Sequence, residues 1–125
     1  MMALHPVFHL SALEAAQFTH QDEPSKAASL IRQLTQGDVI ITLGAQGAYL
    51  AADSLQQTIP AQAVPVVDTV GAGDAHIGAL MAAEGQGLPL PTAVAWANRV
   101  SAAVVSQAGA ELSPDAYARL SAQRP

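Results

Sequence analysis

Two glycines one residue apart, followed at once by an acid, form Gly71-Ala72-Gly73-Asp74, where residue type and spacing first suggest chemistry. The apolar pair Val66-Val67 runs toward them, and a helical pattern opens behind them. Glycine lets a backbone approach a ligand closely and adopt φ > 0. The first N–H groups of a helix have no partner within it and lie at the positive end of its dipole. Together these features make an anion hole suited to a phosphate. A carboxylate beside such a hole, Asp74, is placed to accept a hydroxyl proton during phosphoryl transfer. The same four residues also suit a plain strand-to-helix turn capped by Asp74. Two other phosphate loops fail on spacing. A G-x-G-x-x-G fingerprint needs its third glycine two residues before Gly78, and a Walker A loop needs Lys where Ala79 follows Gly78.

The elements around this loop follow from local pattern. Ser11 and Glu14 have capping-box spacing and predict a short helix to Phe18. Pro24 opens a second helix to about Thr35, with Ala27, Leu30, Ile31 and Leu34 on one face, and Gly37 ends it. Val39-Ile40-Ile41-Thr42-Leu43 is β-branched without polar alternation, the pattern of a strand buried on both faces. Gly44–Gly47 is a turn, Ala48–Ala51 a return strand, and strand-like pieces follow at Gln57–Ile59 and Ala63–Val67. A helix from Asp74 or Ala75 to Glu84, an alanine-rich helix from Thr92 to about Gln107, and a last helix from Pro114 to Leu120 capped by Ser113 complete the chain. The expected fold is a single α/β domain over residues 1–125, a small sheet flanked by helices.

Composition bounds the partners. Half of the 125 residues are apolar and 12% are charged, which excludes a disordered tail. Five Lys plus Arg and a net charge of −5 argue against nucleic acid or an anionic membrane, which require a basic footprint. No apolar run has the length of a spanning helix, and Met1–Leu10 lacks the basic start of a secretory signal. The absence of cysteine fits a reducing compartment, so the expectation is a cytoplasmic protein. Of the four histidines, His5 and His9 alone have helical ligand spacing, and Pro6 interrupts it.

The longer run Asp68-Thr69-Val70-Gly71-Ala72-Gly73-Asp74-Ala75-His76-Ile77-Gly78-Ala79-Leu80 closely resembles the second signature of the PfkB family of carbohydrate kinases, which have the ribokinase-like fold. Thr42-Leu43-Gly44-Ala45-Gln46-Gly47 resembles the family's nucleotide-binding T-x-G-x-x-G turn. Ala97-Asn98, with Gly109-Ala110 following, resembles its terminal helix and the loop after it. Ser11-Ala12-Leu13-Glu14 resembles its N-x-x-E motif, with Ser where Asn is usual, and His76 stands where an aromatic such as Phe is usual.

The resemblance implies ATP-dependent phosphorylation of a sugar or nucleoside hydroxyl. It makes Asp74 the proton acceptor and the backbone of Gly71, Ala72 and Gly73 the anion hole. Thr42, Gly44 and Gly47 would line the nucleotide's phosphate and ribose, Asn98 its adenine, and Glu14 would act near the Mg²⁺-bound phosphates. A monovalent cation such as K⁺ would match Asp68, Val70, Val104, Gly109 and Ser113. The chain reads as the C-terminal, nucleotide-binding part of the ribokinase-like αβα fold, without the N-terminal sugar-binding residues. Its exposed apolar sheet surface would favour a homo-oligomer. The competing reading is an inactive remnant that binds nucleotide or a partner chain only. A dinucleotide-dependent oxidoreductase is disfavoured by the glycine spacing.

Overall fold

The computed structural model describes residues 6–53, 55–62, 64, 71–106, 114–123 and 125. The chain divides into two compact units, Met1–Ile59 and Pro60–Pro125.

The first unit is built on a four-stranded mixed sheet in the order β1-β2-β3-β4: β1 (Val7–Ser11), β2 (Asp38–Thr42), β3 (Ala48–Ala52) and β4 (Leu55–Ile59). β1 and β2 are parallel, His9 opposite Ile40 and Ser11 opposite Thr42, while the later pairs are antiparallel. The crossover between the parallel strands carries α1 (Ala12–Thr19) and α2 (Pro24–Thr35). Both expected helices are present. Ser11 caps α1 through a full capping box, and Pro24 sits in the first turn of α2. Ala15, Ala27, Ala28 and Ile31 pack on Val39, Ile41 and Ala51 of one sheet face, with Phe8, Leu10 and Tyr49 beside them. Ile40, Ala48 and Leu50, on the other face, are also fully buried, so β2 is enclosed on both sides as its apolar run predicts.

Two details of this unit depart from the sequence reading. β1 is a strand additional to those expected, announced only by the short alternation of Phe8 to Ser11. Gly37 does not supply the left-handed turn that ends α2; Gln36 does, at φ 59. Gly37 is required for a different reason: a Cβ there would lie 2.7 Å from both the Phe8 ring and the Pro6 carbonyl oxygen. Next to it, the Arg32 guanidinium donates to the Gly37 carbonyl at 2.8 Å, to Asp38 at 3.2 Å and to Asp53 at 2.6 Å. That fork ties the end of α2 to the start of β2 and the end of β3.

The second unit contains α3 (Ala72–Gly85), α4 (Leu90–Val105) and α5 (Pro114–Ser121). α3 begins two residues before Asp74, and α4 is offset by about one half-turn from its expected start at Thr92. Leu80 and Ala83 of α3 are buried, as are Ala93, Val94, Trp96 and Ala97 of α4, so Trp96 is a core residue. Apart from Val64, the expected strand at Ala63–Val67 lies outside the described residues, as does the Ser113 cap. Among the described residues, no helix is long and apolar enough to cross a membrane.

Candidate phosphate and nucleotide site

Within the first unit, the parallel pairing sets one end of the sheet. Ser11 is the last residue of β1, the register partner of Thr42 at the end of β2, and the N-cap of α1. The expected residues Glu14, Thr42 and Gly44 therefore lie at or just beyond the carboxyl ends of two adjacent parallel strands. In open α/β sheets, ligands bind at this end. The Glu14 carboxylate accepts from the Ser11 N–H at 2.9 Å, and the Glu14 N–H donates to the Ser11 hydroxyl at 3.1 Å. Hydrogen bonding from the Ser11 backbone and then its side chain holds the Glu14 carboxyl below its ordinary pKa, against a desolvation effect that raises it.

The Thr42 hydroxyl donates to the Leu10 carbonyl at 3.4 Å, bridging the two parallel strands. Behind it, Gly44–Gln46 form a single 3₁₀ turn, closed by the Leu43 N–H donating to the Gly47 carbonyl at 2.8 Å. Gly44 at φ 62 and Gly47 at φ 105 both adopt backbone conformations that side chains rarely permit. The space a side chain on Gly44 would fill is open.

In the second unit, Gly71 is the N-cap of α3 at φ 79, ψ 0, and makes no side-chain cap bond. The Ala75 N–H donates to the Gly71 carbonyl at 2.9 Å, which leaves the N–H groups of Ala72, Gly73 and Asp74 ahead of the first intrahelical bond. A Cβ on Gly73 would meet nothing within 4 Å among the described residues. Asp74 is the third residue of the helix, not its cap. Its side chain is exposed and makes no hydrogen bond or ion pair among the described residues.

Asn98, expected on the adenine side, is buried on α4 at 4% exposure. Its oxygen lies 2.8 Å from Nε2 of His76, and its amide donates to the Pro60 carbonyl at 3.4 Å. With the amide turned toward a carbonyl, the oxygen faces the imidazole, so Nε2 carries the proton. His76 is itself buried at 3% exposure. Burial lowers its pKa, against the Asn98 hydrogen bond that raises it, and the ring is neutral near pH 7. His76 is a buried helix residue at the position where the resemblance has an aromatic, and it also binds Asn98. That polar link was not anticipated, because a pairing across 22 positions leaves no local signal.

Of the expected monovalent-cation residues, Val104 is buried on α4, while Asp68, Val70, Gly109 and Ser113 lie outside the described residues. Among the described residues, no three His, Asp or Glu side chains are grouped to hold a metal.

The sequence and the fold have known counterparts. The pattern of the pfkB family carbohydrate kinases matches residues 3–116. The chain is 32% identical over 118 residues to the uncharacterized sugar kinase YegV of Escherichia coli (strain K12), covering 91% of this chain and 37% of that protein. It is similar in structure to aminoimidazole riboside kinase from Salmonella enterica, solved with aminoimidazole riboside and an ATP analog. There the TM-score is 0.77 at 31% identity, over 91% of this chain and 41% of the other. It is equally similar to a fructokinase double mutant from Vibrio cholerae O395 bound to fructose, ADP and a potassium ion. That TM-score is 0.78 at 30% identity, over 91% of this chain and 40% of the other. The chain thus spans about two fifths of the length of these relatives. Its mixed sheet and helices form part of a ribokinase-like α/β fold. The chain belongs to the pfkB family of carbohydrate kinases.

Proposed function

We propose that this chain is the nucleotide-binding part of an ATP-dependent kinase that phosphorylates a hydroxyl group of a sugar or nucleoside. One observation carries the reading. Left-handed Gly71 opens α3 with first-turn N–H groups ahead of the first intrahelical bond, open space at Gly73 among the described residues, and the exposed Asp74 carboxylate on the same turn. The N–H groups of Ala72 and Gly73 hold phosphoryl oxygens as negative charge shifts onto them. Asp74 takes the proton of the attacking hydroxyl. In the first unit, Thr42, Gly44 and Gly47 follow the phosphate and ribose of the nucleotide, and Glu14 meets the Mg²⁺-bound phosphates with the carboxylate oxygen not bonded to Ser11. Asn98 stands on the adenine side as a buried residue whose carboxamide is already oriented. ATP with Mg²⁺, when bound, supplies the phosphoryl group. K⁺ is a cofactor of this reading by analogy with the fructokinase, which holds a potassium ion. The acceptor is a small sugar or nucleoside, as the names of the two solved relatives suggest.

A second reading is a module that binds nucleotide or a partner chain and transfers nothing. The two-fifths coverage of its relatives favours it for the chain alone. Both readings require nucleotide binding. Thermal unfolding with millimolar ATP or ADP and Mg²⁺ tests it: ligand at ten times its Kd adds about 1.4 kcal/mol and raises the midpoint by a few degrees. The same concentration of NAD leaves the midpoint unchanged. A folded sample that responds to neither ATP nor ADP overturns the proposal, and a preference for NAD restores the oxidoreductase reading.

A further inference from the structure

α3 and α4 are joined by the short Gln86–Pro89 connection, and their contacts show that they run in opposite directions. Ala72 of α3 is bonded to Ser101 of α4, and His76, one turn further along α3, is bonded to Asn98, one turn back along α4. Apart from His76 and Asn98, every buried side chain of the two helices is apolar, and the packing partners are mostly alanine, valine and leucine. Such a smooth seam buries area but discriminates weakly between neighbouring axial positions. A polar contact placed in it sets register. Both rungs lie at one end, immediately behind Gly71–Asp74. The Ser101 hydroxyl donates to the Ala72 carbonyl at 3.4 Å, in the first turn itself. The His76–Asn98 bond continues to the Pro60 carbonyl, so the second rung is anchored beyond α4.

We infer that His76 and Ser101 are positioning residues: acting through Asn98 and the Ala72 carbonyl, they fix the axial register of α3 on α4. They thereby hold the turn Gly71–Asp74 in its phosphate-receiving geometry. The inference rests on the reading of that turn proposed above. A displacement of one ångström at a phosphoryl-transfer turn has large consequences. An aromatic such as Phe at position 76, where the family resemblance has one, would remove the 2.8 Å partner of the Asn98 oxygen.

Calorimetry of the whole chain with Mg²⁺–ADP and with adenosine gives the ratio of the two affinities, the increment due to the phosphates. Ser101→Ala is expected to lower that ratio by about tenfold, weakening ADP and leaving adenosine unchanged; His76→Phe, which also disturbs Asn98 on the proposed adenine side, is read by amide exchange instead. His76→Gln keeps an N–H for Asn98 and is expected to behave as the unsubstituted chain in that measurement. A general loss of stability would weaken both ligands together. An unchanged ratio in folded Ser101→Ala overturns the inference, as does equal weakening of both ligands by that variant. A second measurement needs no nucleotide. Amide exchange at Ala75, whose N–H closes the first turn, is expected to quicken about tenfold in Ser101→Ala and in His76→Phe, while Ala93 and Val94 in the first turn of α4 stay unchanged. No change at Ala75 overturns the inference. If the unsubstituted chain binds neither ligand, the phosphate reading fails, and the exchange measurement still decides the register claim.

Discussion

Asp74 separates chemistry from capping more cleanly than the sequence allowed, because the cap of α3 is Gly71 and Asp74 is the third helical residue. Asp74→Asn preserves size and polarity and removes only the charge. In a chimera that joins this chain to the N-terminal part of a relative, turnover is expected to fall by about 10²–10⁴-fold, the range for loss of a general base. Nucleotide affinity is expected to hold or rise slightly, since a negative charge beside the phosphates is lost. A variant that keeps most of its turnover removes Asp74 from the mechanism. His76 gives a second outcome, read in stability. Burial lowers its native pKa below the ordinary 6.5. Its contribution is therefore complete above about pH 6.5 and is lost as pH falls toward the native pKa, where the unfolded chain binds a proton that the folded chain refuses. Between those values, stability should decline by at most about 1.4 kcal/mol per pH unit. His76→Phe should flatten that part of the profile in thermal melts from pH 5 to 8, and an unaltered slope would assign the pH dependence to other groups.

At the level of elements, the turn between α2 and β2 shows why two adjacent residues have opposite needs. Gln36 is left-handed at φ 59, a conformation that costs a side-chain-bearing residue energy, whereas Gly37 is not left-handed but has no room for a Cβ. Gln36→Gly is expected to change stability little or raise it by up to about 1 kcal/mol, the relief of strain being offset by greater freedom in the unfolded chain. Gly37→Ala is expected to lower it by about 1–3 kcal/mol, because the Pro6 carbonyl is backbone and cannot step aside. Denaturant midpoints of the two variants measure both, and similar effects would mean that the turn relaxes as a unit. The same turn marks the limit of what sequence made legible. Helices α1, α2 and α5 were readable because caps, Pro24, Pro114 and a 3.6-residue period are local signals. β2 was readable from its doubly apolar run, and the Gly71–Asp74 loop from glycine spacing. β1 was not, because its apolar–polar alternation covers only Phe8 to Ser11, too short a run to stand out, and its strand character comes from pairing with residues 31 positions away. The exchanged roles of Gln36 and Gly37 were equally hidden. A glycine after a helix ordinarily means a left-handed cap, and only the packed Phe8 ring and Pro6 carbonyl reveal a steric requirement instead.

For the molecule as a whole, the deciding quantity is how much of a working kinase the chain contains. It matches its relatives over nine tenths of its own length and about two fifths of theirs; on the function proposed above, that share holds the nucleotide site. Phosphoryl transfer involves little covalent chemistry by the protein; its rate comes from holding acceptor, phosphate and metal in line, and from stabilising the charge that shifts. The second part of that work has candidates here, in the first-turn N–H groups of α3 and in Asp74. The first part has none that the sequence or the described residues identify for a sugar hydroxyl. The expected outcome is a chain that binds ATP and, by itself, transfers negligible phosphate to any of a panel of common sugars and nucleosides in an ADP-release assay. Adding the N-terminal part of a relative, covalently or as a second chain, is expected to raise turnover above that background, and Asp74→Asn to abolish the gain. Clear turnover by the purified chain alone would overturn the expectation. Activity that then rose as the square of chain concentration would show the acceptor site to be completed by a second copy, while strictly proportional activity would place it within one.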